Sequence, residues 1–300
     1  MARYGLIIDV EKCNGCYNCF LACKDEHCGI DHMPIAAGQP ELGQYWIDVD
    51  ERERGSYPKV KVASIPITCM QCDDAPCMKA AEDATAAGDA SPASPEDAGP
   101  ASGALYKRAD GIVIIDPVKA KGHKEVVDAC PHGVIFWNEK ASLPQKCTMC
   151  AHLLDQGWSE PRCVEACPTG ALIFGDLDDR GSEISRIAAT AQLEELSPES
   201  AAIGTVKYVG LPKRFVAGTV YLRGIEEECA EGCEVVLRGP DGELRAFTNF
   251  FGDFEFEGLA ADTHYEVDIA KDGYAGQTLS ATTAKDVYLG DIYLGLRAAS

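Results

Sequence analysis

Basic residues are scarce in this chain. Lysine and arginine number 27 against 48 aspartates and glutamates, for a formal net charge of −21. Such a balance repels phosphate backbones and anionic lipid headgroups, which argues against nucleic acid and against a polybasic membrane anchor. Long apolar runs are missing as well. None approaches the ~20 residues of a bilayer span, so no direct membrane insertion is expected. The start, Met1-Ala2-Arg3-Tyr4-Gly5-Leu6-Ile7-Ile8-Asp9, has no extended apolar leader with a cleavage site. It predicts a short strand, and the expected location is cytoplasmic.

Cysteine, by contrast, is abundant, with 15 in 300 residues. A disulfide scaffold suits a short secreted chain with an even count, which this is not. Zinc uses four ligands, as a rule in two separated pairs. The run Cys13-Asn14-Gly15-Cys16-Tyr17-Asn18-Cys19-Phe20-Leu21-Ala22-Cys23 has a different spacing, the C-x2-C-x2-C-x3-C of bacterial iron–sulfur proteins. A short loop offers three thiolates to one corner of a cubane. The fourth cysteine has passed onto the next element and serves a second cluster. One such run therefore predicts partner cysteines elsewhere.

They are present. Cys69-Met70-Gln71-Cys72-Asp73-Asp74-Ala75-Pro76-Cys77 forms a second loop. Cys130-Pro131-His132-Gly133 supplies a lone cysteine. Cys147-Thr148-Met149-Cys150 precedes Cys163-Val164-Glu165-Ala166-Cys167-Pro168.

These four groups, with Asp110-Gly111-Ile112-Val113-Ile114-Ile115-Asp116 and Gly175-Asp176-Leu177-Asp178-Asp179, resemble the four-motif iron–sulfur subunits of dimethyl-sulfoxide-reductase-type molybdopterin oxidoreductases. The resemblance implies a ferredoxin-like double 4Fe-4S domain over residues 1–211. It also implies three ligand sets. The first is Cys13, Cys16, Cys19 and Cys167. The second is Cys147, Cys150, Cys163 and Cys23. The third is Cys69, Cys72, Cys77 and Cys130. A fourth cluster of the family would need thiolates where this chain has Ala81, Ala120, His123 and Val126. All four are absent together, so the expectation is three 4Fe-4S clusters and no fourth. His123 is expected to be structural, and His132 to pack locally beside Cys130.

The stretch from 82 to 104 is rich in alanine, proline, serine and acid. It has nothing to anchor a core and predicts a flexible surface insertion. Ser182 is expected to cap a helix from Glu183 to about Leu196.

Beyond Pro212 the composition changes. Val220 and Leu222, Val235 and Leu237, Phe254 and Phe256, Tyr265, Val267 and Ile269, and Val287 and Leu289 recur with period two. Turn signals such as Gly239-Pro240-Asp241-Gly242 stand between them. The pattern predicts an all-β domain over 212–300, an antiparallel sandwich or barrel of about seven strands. The fold class is thus α+β, with a cluster domain followed by a prealbumin- or Ig-like domain. No triad, acid pair or metal cluster is visible in the second domain. Cys28, Cys229 and Cys233 are expected to be structural thiols.

The full layout, with three clusters, a lost fourth and a terminal β domain, resembles small subunits of molybdenum transhydroxylases. Phe250-Phe251-Gly252-Asp253-Phe254 belongs to that likeness. What it implies is a non-catalytic electron-transfer subunit beside a large catalytic subunit. That partner would carry bis-molybdopterin guanine dinucleotide and act on hydroxylated aromatics, in a heterodimer or larger assembly. An iron–sulfur subunit of a catechol dehydroxylase, or of another reductase of the type, is the alternative.

Overall fold

In the computed structural model, residues 2–87, 103–223 and 227–297 are described. They fall into two units, Met1–Glu51 with Ala63–Leu211, and Arg52–Val62 with Pro212–Ser300.

The apolar run near the start becomes β1 (Tyr4–Asp9), the middle strand of the first unit's three-stranded sheet. Cysteines follow at once on α1 (Asn18–His27). A long hairpin of β2 (Ile47–Ser56) and β3 (Lys59–Thr68) comes next, then α2 (Pro76–Ala87). Two small hairpins follow, β4 (Leu105–Lys107) with β5 (Val113–Ile115) and β6 (Phe136–Asn138) with β7 (Leu143–Gln145). The one-turn helices α3 (Glu125–Asp128), α4 (Ala151–Leu154) and α5 (Arg162–Glu165) carry or flank cysteines. The unit closes with β8 (Leu172–Asp176), α6 (Glu183–Thr190) and β9 (Val206–Val209). Strand β1 runs antiparallel to β8 and parallel to β9. Its Leu6 and Ile8 face the cluster-side core, while Ile7 packs under Ile184 of α6.

Two expectations for this unit need correction. Residues 82–87 form the second half of α2 instead of a loop. Alanine has the best helix propensity, and Ala81 is buried against the core, so the segment winds on from the cysteine loop. The remainder, 88–102, lies outside the described residues. Second, α6 stops at Thr190, well before Leu196. Glu194 instead pairs its backbone with Tyr208 of β9, and strand-like hydrogen bonding displaces the last turns. The cap itself is as expected, with Ser182 Oγ accepting from Ser185 N at 3.2 Å.

The second unit contains eight strands among its described residues, one more than expected. They are β10 (Arg214–Arg223), β11 (Glu227–Cys229), β12 (Glu234–Gly239), β13 (Gly242–Phe247), β14 (Asp253–Leu259), β15 (His264–Ala270), β16 (Gln277–Thr282) and β17 (Val287–Gly295). One sheet orders them 13-12-15-16. In the other, β14 and β11 pair in succession with β10, and β17 also pairs with β10. Val220, Phe254 and Leu294 of one sheet share a core with Val235, Val267 and Ile269 of the other. The β10–β17 pair is parallel, so the domain is not purely antiparallel.

The hairpin tip, Arg52–Val62, belongs to this second unit. Arg54 donates to the Lys213 carbonyl and pairs with Asp286 at 3.4 Å. Lys59 pairs with Asp253 at 3.2 Å, and Lys61 with Glu255 and Glu257. Lys61 and Arg54 both lie over the Phe215 ring. Gly55 makes this approach feasible. Its φ of +84° is one that L side chains avoid, and a Cβ there would collide with the Lys59 carbonyl.

Candidate metal centres

Three tight C-x-x-C turns present most of the thiols. In each, the residue before the second cysteine takes a positive φ: Gly15 at 67°, Gln71 at 49° and Met149 at 50°. The left-handed twist folds the loop so that both sulfurs face one point. Glycine does this without strain, whereas Gln71 and Met149 do it at a cost that surrounding packing must cover. Both are buried.

All 15 cysteines are free thiols, and twelve gather in three quartets. Cys13 and Cys19 each feel Cys16 and Cys167. Cys23, Cys147, Cys150 and Cys163 line one apolar cavity with Leu6, Trp46 and Phe174. Cys69, Cys72, Cys77 and Cys130 line another. Alpha-helical spacing explains part of this. On α1, Cys19, Cys23 and His27 recur every four residues on one buried face. Cys19 points to the first quartet and Cys23 to the second.

Burial raises Cys13, Cys19, Cys23, Cys72, Cys77, Cys130, Cys147, Cys150 and Cys163 above the ordinary thiol range. It pushes Cys19 and Cys77 up to about 11, and Cys72 and Cys150 up to about 12, neighbouring thiols adding to the rise. Sulfurs that converge by fours in largely apolar surroundings form a donor set for a soft metal centre. Cys167 behaves differently. Burial raises its pKa, but hydrogen bonds from Thr169 and from the backbone at Ala171 and Leu172 outweigh it and bring the group below the usual value. Backbone N–H groups also serve the other sets. Met149 N donates to Cys147 Sγ at 3.3 Å, and His132, Gly133 and Val134 donate to Cys130.

The quartets form a row. Cys23 and Cys163 of the second feel Cys19 of the first, and Cys147 of the second feels Cys69 of the third.

The 4Fe-4S dicluster domain family matches residues 60–177. The small subunit of pyrogallol hydroxytransferase from Pelobacter acidigallici is 37% identical over 98% of this chain and 100% of its own length. This chain belongs to that iron–sulfur subunit family. A tetrathionate reductase subunit of Salmonella typhimurium is 31% identical over 71% of this chain and 75% of its own. The arsenate respiratory reductase iron–sulfur subunit of a Shewanella strain is 28% identical over 69% and 96%. The chain is thus an iron–sulfur electron-transfer subunit, akin to those of dimethyl-sulfoxide-reductase-type enzymes, and its cysteines support iron–sulfur clusters.

The four positions expected to lack a fourth set of thiolates lie in a packed interior. Ala81, Ala120 and Val126 are buried in one core, and α2 packs on α3. His123 is buried too, its Nδ1 2.7 Å from Glu125 Oε1, which is a structural role. His132 lines the third cavity, and its Nε2 donates to the Ala202 carbonyl at 3.2 Å. Cys28 and Cys229 stand apart from the quartets, and Cys233 is buried in the β core.

Three residues around the quartets were missed in the sequence. His27 lines the second cavity, with Nε2 3.7 Å from Cys150 Sγ. Burial takes its pKa down to about 3, so the ring is neutral. Its position four after Cys23 was the available signal. Gln71 accepts from Val113 N at 2.9 Å and donates to the Cys147 carbonyl at 3.2 Å. Lys146, adjacent to Cys147, is buried with Nζ on the carbonyls of Val113 and Cys147. No residue pattern announces the last two, because their roles arise from contacts across the fold.

Proposed function

We propose that this chain holds three 4Fe-4S clusters and passes electrons for a molybdopterin-bearing large subunit that acts on hydroxylated aromatics. The ligand sets are Cys13, Cys16, Cys19 and Cys167; Cys23, Cys147, Cys150 and Cys163; and Cys69, Cys72, Cys77 and Cys130. The observation that carries this reading is the grouping of twelve free thiols in three fours, two of them around apolar cavities. When bound, each cluster supplies one-electron chemistry at a potential set by burial and by hydrogen bonds to sulfur. The protein's own part is to hold the sulfurs, exclude water with Trp46, Phe174 and Met149, and aim backbone N–H groups at the thiolates. The quartets' order gives the route, with the second set between the first and third.

The chain has no pterin pocket of its own in this reading, and the aromatic chemistry belongs to the partner. The β unit is read as a prealbumin- or Ig-like sandwich, and the complex as cytoplasmic. No helix among the described residues is long and apolar enough to cross a membrane. The test is anaerobic co-purification with the large subunit, followed by iron and pterin analysis and assays on pyrogallol and catechols. About twelve iron atoms per chain are expected, four per cluster, with pterin only in the partner. About sixteen, or almost none, rejects the assignment.

A further inference from the structure

Lys146 is the only buried lysine or arginine among the described residues, at 2% exposure. Its Nζ has two acceptors, the neutral carbonyls of Val113 and Cys147. No carboxylate pairs with it among the described residues. Isolating an ammonium from water costs several kcal/mol unless an opposite charge compensates. Two carbonyl dipoles meet only part of that cost, so the fold places a cation where its counter-charge has still to be supplied.

The position indicates what supplies it. Lys146 lines the cavity enclosed by Cys69, Cys72, Cys77 and Cys130. It is also the residue next to Cys147 of the second quartet. A cubane held by four thiolates carries net negative charge, and that charge grows by one on reduction. A fixed cation against it stabilises the reduced form more than the oxidised form.

We propose that Lys146 is the fixed counter-ion of the third cluster and sets its reduction potential above the value its four thiolates alone would give. One electron enters from an external reductant, and no bond is made or broken at the lysine. A further contact supports the assignment. Gln71 and Lys146 together grip Val113 and Cys147, which holds the ammonium in one place.

This inference rests on the three-cluster reading above, and its test keeps the two apart. The full chain is prepared anaerobically with Lys146→Met, Lys146→Gln and Lys146→Arg variants. Iron is counted, and each cluster is titrated with dithionite under electron paramagnetic resonance. The third cluster is identified as the signal altered by Cys130→Ser. Met and Gln are both expected to lower that midpoint by at least a tenfold change in the reduction equilibrium, about 59 mV for one electron. Arg is expected to hold it near the parent value, and the first cluster is expected not to move. An unchanged midpoint in the Met variant overturns the proposal. So does a parent-like midpoint in the Gln variant, which would assign the effect to hydrogen bonding. Loss of the third cluster from both variants overturns it as well, making Lys146 a structural prop. A parent chain without about twelve irons would instead sink the cluster reading itself.

Discussion

Gln71 shows how much one side chain contributes to these loops. Its backbone takes the left-handed turn between Cys69 and Cys72, while its amide satisfies a buried N–H and a buried carbonyl on two other segments. Gln71→Ala leaves Val113 N without its partner. The expected loss is about 1–3 kcal/mol of unfolding free energy, read by denaturant titration. A second residue-scale prediction concerns Asp155. The Arg108 guanidinium donates to both its carboxylate oxygens and holds its pKa below the ordinary carboxylate value. A group depressed in the folded state stabilises above its unfolded pKa and loses that contribution as pH falls through the folded value. The parent chain should therefore lose stability on acidification over that interval, and Asp155→Asn should flatten this part of the curve. Thermal melts across the acid range would show it.

Among the elements, legibility follows burial on one face. Strands β14 and β15 largely alternate buried and more exposed residues, so period two alone puts Phe254 and Val267 on the correct side, whereas β12 buries Val235, Val236 and Leu237 in succession. Strand β13 is almost wholly exposed and β11 is three residues long, so neither carries the alternation. The parallel pairing of β10 with β17 joins strands far apart in sequence, and no local pattern encodes it. The second half of α2 reads as loop because its alanines and acids show no apolar stripe. Its helicity comes from propensity and from continuity with the Cys77 turn. The candidate site is legible wherever cysteine spacing speaks. It is illegible where a lysine, a glutamine and a histidine act through distant contacts. Two measurements belong at this scale. Ser182→Ala should cost α6 about 1 kcal/mol through its cap, seen as earlier unfolding in denaturant. Ala120→Leu, at a fully buried position where a fourth ligand set would stand, should cost about 1–3 kcal/mol by overpacking, while the iron content stays at the parent value.

On the scale of the whole molecule, the two units differ in what stabilises them. The first places its thiols inside its main core, so its packing and its metal content are linked. The second has a separate apolar core to which no quartet contributes. Stripping iron with a chelator under reducing conditions should open the first unit to protease while the β unit's strands persist. Limited proteolysis followed by mass analysis would locate the cuts, and cleavage within 227–297 at the same rate as within the first unit would contradict the expectation.

The hairpin tip at Arg52–Val62, docked around Phe215 and Asp286, has a consequence for biosynthesis. It leaves the ribosome before the strands that receive it have been translated, and Arg54, Lys59 and Lys61 meet Asp286, Asp253, Glu255 and Glu257 only when the last third of the chain emerges. The growing polypeptide therefore carries an exposed, half-finished ribbon through most of translation. A truncated chain begun at residue 212 would be born without the piece that covers Phe215.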